Sequence, residues 1–161
     1  MAIEKVREYF RALGMEDRIL EFDVSSATVA LAAQALGCDP AHIAKSMAFV
    51  RKEGGCTLVV AAGDVKIDNR KFKDTFGEKA KMLSPEETLE LVGHAVGGVC
   101  PFAVNDGVQT YLDVSLKRFE TVYPACGSSN SAIALSCDAL EQYAGALGWV
   151  DVCKLAQTEN T

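Results

Sequence analysis

Near the start of the chain Ile3, Val6, Phe10 and Leu13 recur at helical spacing among charged residues, which predicts an amphipathic helix over Ala2 to Leu13, stopped at Gly14. Ile19 to Phe22 alternates weakly, as a short strand would. Ser25, Ser26 and Thr28 then offer N-caps for an alanine-rich helix that Gly37 ends, and Asp39-Pro40 opens a single turn through Ile43. That turn runs straight into Lys45.

Ser46 to Val50 and Cys56 to Ala61 are β-branched and apolar runs around Lys52-Glu53-Gly54-Gly55, a pattern that predicts a β-hairpin. Asp68 caps a basic helix that extends to Phe76 and stops at Gly77, and Ala80 to Leu83 reads as a short strand. Ser84-Pro85-Glu86-Glu87 joins a cap, a proline at the first helical position and a glutamate three residues after the cap, so a helix spans 85 to 92. Past the glycine-rich stretch Gly97 to Pro101, strands are expected at Gln109 to Val114, Thr121 to Tyr123 and Ala132 to Leu135, with turns at 105–107 and 126–130. A last helix, Asp138 to Leu147, precedes Gly148. Hairpin-linked strands with interspersed helices predict an α/β (α+β) fold built on a mixed, largely antiparallel sheet.

Composition narrows the class. With 161 residues, 49% of them hydrophobic, the chain can bury one core, and residues 1–161 are expected to form a single domain. No apolar run approaches the ~18 residues that span a bilayer, and the charged, alternating N-terminus does not read as a signal peptide, which places the protein in the cytoplasm away from membranes. Six cysteines in such a setting read as free thiols, and neither they nor His42 and His94 fall at zinc-finger spacing.

A net charge of −6 excludes a protein whose whole surface grips nucleic acid. The distribution is uneven, however: six basic residues face four acids between Asp64 and Lys81, a local +2 against −8 elsewhere. Lys66, Arg70, Lys71 and Lys73 in this segment suit either a solvated face or contacts to an RNA backbone.

Three clusters bear on chemistry. Lys45, between a helical turn and a strand, either packs its stem and extends its ammonium to water or supplies a fixed positive charge in a cleft. Gly97-Gly98-Val99-Cys100-Pro101 is either an ordinary turn or a loop whose backbone closely approaches a ligand, its N–H groups able to hold an oxyanion. Within it Cys100, six residues after His94, is a candidate thiol nucleophile or simply a small buried residue. Gly127-Ser128-Ser129-Asn130-Ser131 is a turn rich in hydroxyl and amide groups.

These segments, in this order, resemble the YbaK/EbsC-type aminoacyl-tRNA deacylases, whose domain also occurs as the editing insertion of bacterial prolyl-tRNA synthetases. The resemblance runs through Thr28 to Ala33, Ile43-Ala44-Lys45-Ser46, Gly63 with Lys71, Gly93 to Phe102, Tyr111-Leu112-Asp113, Tyr123, Gly127, and Ile133-Ala134-Leu135 with Asp138. It implies a barrel-like sheet flanked by helices, a pocket for the 3′ aminoacyl end of tRNA, and hydrolysis of the ester of a misacylated tRNA, with tRNA-Pro one candidate and a synthetase a candidate partner. A non-catalytic module that binds tRNA or a synthetase is the alternative. No metal or cofactor is implied.

In this comparison Lys45 falls on the family's functional lysine, and Gly97, Gly98, Cys100 and Pro101 fall on the loop whose backbone positions the ester carbonyl. Water, helped by substrate or tRNA hydroxyls, would attack without a protein nucleophile. Val29, Met47, Phe49, Phe102, Gly127 and Asn130 are the expected substrate-binding residues. Cys100 stands where the family loop commonly has serine, and Ala125 and Ala132 stand where cysteine-specific relatives carry polar side chains. Asn130 resembles the alanine-type branch.

Overall fold

The computed structural model describes residues 2–156. Helix α1 (Ala2–Ala12) buries Val6 and Phe10 completely, and Phe10 meets Phe102 edge-on with ring centroids 4.9 Å apart. After a short strand β1 (Leu20–Glu21), helix α2 (Val29–Leu36) starts at Thr28, whose hydroxyl accepts from the Leu31 amide, and stops at Gly37. Of the three expected caps, Thr28 is the one used. A 3-10 turn at Pro40–His42, capped by Asp39, delivers the chain into β2 (Ile43–Val50).

Strands β2 and β3 (Cys56–Ala62) form the predicted hairpin, in a register that sets Lys45 opposite Ala61 and Ser46 opposite Val60. Every residue of β3 is buried, as its uninterrupted apolar run requires of a strand covered on both faces. Strand β4 (Val65–Ile67) leads into α3 (Asn69–Phe76), capped by Asp68, and α4 (Pro85–Val92) carries the full capping box: Ser84 Oγ accepts from the Glu87 amide and Glu87 accepts from the Ser84 amide. The chain continues through β5 (Val108–Asp113), β6 (Tyr123–Pro124), β7 (Ser131–Ala132), α5 (Cys137–Ala144), β8 (Gly148–Val150) and β9 (Cys153–Leu155).

The sheet is mixed, as expected, and its pairings separate into two kinds. The central sheet has the order β6-β2-β3-β5-β8, in which only β2 with β3 is antiparallel; β2/β6, β3/β5 and β5/β8 are parallel. The antiparallel pairings beyond the hairpin lie in two small flanking sheets, β1/β7 and β4/β9. "Largely antiparallel" thus fails for the central sheet, because β5, β6 and β8 return to it through long crossovers, and such connections bring strands back in the same direction.

Local boundaries differ in several places: the strand expected at 121–123 is β6 at Tyr123–Pro124, and that expected at 132–135 is β7 at Ser131–Ala132, with a single bridge from Leu135 to Val122. The expected strand at 80–83 narrows to one bridge, Met82 to Phe49, with the Leu83 amide donating to the Ala48 carbonyl. The last helix ends at Gly145, in the left-handed conformation with φ 60°, and Gly148 begins β8. Strands β4, β8 and β9, too short to show a period, went unpredicted. Among the described residues no helix is long and apolar enough to cross a membrane.

Candidate active site

The hairpin and the loops packed on it enclose a cavity of about 260 Å³. Its floor is β2. Strand alternation puts Ala44, Ser46 and Ala48 on one face of that strand and Lys45 and Met47 on the other. Part of the wall is the start of α2, from Ser26 to Val29 with Ala32, and part is Val96, Gly97 and Val99 of the glycine loop, which meets α2's start where a Cβ on Gly97 would lie 3.4 Å from Ala27 Cβ. Tyr123, Ala125, Ser131 and Ala132 also line it, as do Leu83 and, on α4, Thr88.

The glycine loop is held by close backbone packing. A Cβ on Gly98 would lie 2.7 Å from the Ser128 amide nitrogen and 2.8 Å from the Gly127 carbonyl carbon, so only glycine lets the 97–101 and 127–131 loops touch. Gly97 adopts φ 98°, and the Gly98 amide donates to the Ala95 carbonyl at 3.0 Å. Among the described residues, the N–H groups of Gly97 and Val99 have no backbone acceptor. Pro101 is buried and outside the cavity lining, and Gly127, with φ 91°, serves the loop contact instead of the cavity wall.

Lys45 borders the cavity and is half-buried, yet its ammonium donates to the Val65 carbonyl at the start of β4. Burial holds its pKa below the ordinary lysine value, with Asp64 and Cys153 opposing that shift. Three ammonium protons leave two beyond the Val65 contact, enough to reach a second acceptor.

Several expected site residues lie elsewhere. Phe49 is 1% exposed and packs on Phe72, Phe102 is fully buried against Phe10, and Met47 packs into the main core; these three shape the interior and not the cavity. Asn130 donates from its amide to the Phe22 carbonyl at 3.0 Å and accepts from Ser128 Oγ, stapling the loop beside β7 to the segment after β1. Of the expected substrate-binding set, Val29 is the residue that borders the cavity.

Cys100 is fully buried, its sulfur 3.5 Å from His94 Nε2, and burial pushes its thiol up to about 12. The imidazole is no activating base, since burial lowers its pKa and Nε2 lies 2.8 Å from the Phe102 carbonyl. A thiol that stays protonated and sealed from solvent is not a nucleophile. Lys71 is likewise committed, its ammonium bound to Asp151 at 3.0 Å and the Cys153 carbonyl at 3.1 Å, while Lys66, Arg70 and Lys73 are exposed.

Ser46, Ser131, Val96, Val99 and Tyr123 border the cavity but were absent from the expected set. For Ser46 a signal exists: a hydroxyl in a strand otherwise apolar on that face.

A family model of the aminoacyl-tRNA editing domain matches residues 24–143, a span that contains every wall of this cavity. The chain belongs to the aminoacyl-tRNA editing domain family. Among its relatives, the uncharacterized protein YwhH of Bacillus subtilis is 51% identical over 154 residues, covering 96% of this chain and 98% of the relative. EbsC of Enterococcus faecalis, named as a proposed Cys-tRNA(Pro)/Cys-tRNA(Cys) deacylase, is 24% identical over 109 residues, 67% of this chain and 66% of its own. A crystal structure described as a proposed trans-editing enzyme for prolyl tRNA synthetase superposes with a TM-score of 0.85 at 28% identity, over 95% of this chain and 97% of that one. The fold is therefore that of the YbaK-type editing domain.

Proposed function

We propose that this protein is an aminoacyl-tRNA deacylase acting in trans: it seats the aminoacyl group of a misacylated tRNA in the 260 Å³ cavity and hydrolyses its ester. The observation that carries the reading is the glycine loop in the cavity wall, whose Gly97 and Val99 amides have no backbone acceptor among the described residues, in a chain of the editing-domain family. Those N–H groups suit the oxyanion formed when water adds to the ester carbonyl. The new bond joins the water oxygen to the carbonyl carbon; the bond that breaks releases the terminal ribose hydroxyl, which takes up a proton, and the free amino acid.

Lys45 acts as a charge near this centre and not as a base, because a lysine that must first lose its proton would be a poor acceptor at neutral pH. With Cys100 sealed, catalysis rests on positioning and electrostatics. tRNA-Pro is the favoured carrier, in keeping with the names of the relatives. The acceptor stem lies over the basic face, where Lys66, Arg70 and Lys73 are exposed and Lys66 stands opposite Lys154 across β4/β9. Two like charges paired directly across strands repel each other and are better accommodated beside phosphate.

Deacylation across a panel of mischarged tRNAs tests the reading. Turnover that falls to background in Lys45→Ala is expected. No turnover above that variant on any ester, with tRNA binding intact, would instead establish a non-catalytic binding module.

A further inference from the structure

The Lys45 ammonium is aimed by the turn between β3 and β4. The acceptor it meets among the described residues is the Val65 carbonyl, and Val65 directly follows the two-residue turn Gly63-Asp64. A lysine stem is flexible, so the ammonium sits where that carbonyl holds it. The position of the turn therefore sets the position of the charge.

Three contacts hold the turn. A Cβ on Gly63 would run into the Pro40 carbonyl oxygen and lie 2.7 Å from Val29 Cγ1, so the turn is seated on the backbone ahead of β2 and on a residue of the cavity wall. The Asp64 carbonyl accepts from the Ala156 amide at 2.9 Å. The Asp64 carboxylate accepts from both arms of Arg118, Nη1 at 3.0 Å and Nη2 at 2.6 Å, at the end of the 3-10 helix Val114–Arg118. Arg118 is itself oriented: its Nε donates to the Ser115 carbonyl at 2.8 Å, and Ser115 Oγ accepts at 3.1 Å from the amide of Ala62, the last residue of β3. Ala62, the turn, Arg118 and Ser115 thus form a closed ring.

Stability does not account for this pair. The Arg118 and Asp64 side chains are 40% and 33% exposed, a setting in which an ion pair adds little to folding. A bidentate fork does fix direction, because two parallel N–H donors hold a carboxylate in one plane. We propose that Arg118 and Asp64 are positioning residues for Lys45: the fork locks the 63–64 turn, and with it the Val65 carbonyl, so that the ammonium is held beside the cavity. This rests on the deacylase reading of the same site.

The charges about the ammonium act in the same sense. Burial lowers the Lys45 pKa, and Cys153 of β9 and Asp64 oppose the fall. Arg118 stands behind Asp64, and Asp113 and Lys71 stand about Cys153. Removing the Asp64 charge takes away one opposing influence and carries the Lys45 pKa further down. Arg118 has one competing role, since it borders an open hollow with His42, Phe119 and Tyr123, and Tyr123 lines the cavity as well. Direct contact with substrate there would raise KM, whereas misplacing a charge that acts in the transition state lowers kcat.

The test is steady-state hydrolysis of the fastest-cleaved ester of the mischarged-tRNA panel by wild type, Asp64→Asn, Arg118→Gln, Arg118→Lys and the Asp64→Asn/Arg118→Gln double variant. Urea unfolding checks each protein, and NMR titration of the Lys45 side chain is run on wild type and Asp64→Asn. Asp64→Asn and Arg118→Gln should each lower kcat about tenfold or more with KM changed less than about threefold. The double variant should fall no further than the worse single one, because the two residues act as a unit. Arg118→Lys, which keeps the charge and loses the fork, should lose as much as Arg118→Gln, and it carries the comparison if Arg118→Gln does not fold. Urea midpoints should stay close to wild type, and the Lys45 pKa should be lower in Asp64→Asn. A wild-type kcat in Asp64→Asn or Arg118→Lys, an effect on KM alone, multiplied losses in the double variant, or an unmoved Lys45 pKa would each overturn the inference and leave the deacylase reading standing. No ester cleaved by wild type would remove both.

Discussion

Gly98→Ala tests whether the candidate site depends on direct backbone contact between the 97–101 and 127–131 loops. The added Cβ would meet three backbone atoms, Ser128 N at 2.7 Å and Gly127 C and Ser128 Cα at 2.8 Å, all inside the 3.0 Å that real Cβ contacts essentially never breach. Backbone cannot swing aside as a side-chain tip can, so one loop must move. Overpacking of this kind costs about 1–3 kcal/mol. For a chain of this size that corresponds to a Tm lowered by about 2–12 °C. Gly148→Ala is the matched control, because a Cβ there meets nothing within 4 Å and its φ lies outside the left-handed region. Urea unfolding should show a lower midpoint with an unchanged slope for Gly98→Ala and little change for the control. Deacylation should fall further than stability does, since displacing the loop moves the Gly97 and Val99 amides relative to Ser46. An unchanged midpoint together with unchanged turnover would refute the claim that this contact positions the site.

Three further outcomes follow from buried and paired groups. Cys100→Ala should retain turnover within about threefold, and iodoacetamide should leave Cys100 unmodified until the protein unfolds; inactivation by native-state alkylation at Cys100 would restore the thiol as a functional group. Lys45 has a folded pKa below its ordinary 10.5, so the unfolded chain binds that proton more tightly and wild-type stability rises as pH climbs from the folded value toward 10.5. Lys45→Met should flatten that rise in denaturation measured between about pH 7 and 10 while abolishing hydrolysis; an equal slope in both proteins would mean the ammonium is not desolvated. Asp64 is held below its ordinary 3.8 chiefly by its hydrogen bonds from Arg118, at 2.6 and 3.0 Å, so its contribution is present above that value and is lost as pH falls through the lower folded one. Asp64→Asn should reduce the acid-limb dependence and change stability near neutral pH by less than about 1 kcal/mol, the pair being partly exposed; a larger neutral-pH loss would show a buried role.

Local signals were written plainly in the chain. The capping box at Ser84, the caps at Thr28, Asp39 and Asp68, the stops at Gly37 and Gly77, and the hairpin around Gly54-Gly55 all depend on residues a few positions apart, and all appear in the structure. The family was legible for the same reason: its motifs are ordered in sequence. Lys45 and Gly97, singled out on that basis, both border the cavity.

Beyond the hairpin, strand direction and strand partners were decided by tertiary structure, as was most of the cavity's membership. The parallel pairing of β3 with β5 joins segments separated by β4, α3 and α4, and nothing within either segment encodes it. Met47, Phe49 and Phe102 carry the composition of a pocket wall but sit in the core, because which face of a strand or loop is covered depends on what packs there. Ser26 and Ser46 show the converse. As letters they are a cap candidate and an ordinary strand serine; only the fold shows that both hydroxyls are buried without a partner among the described residues.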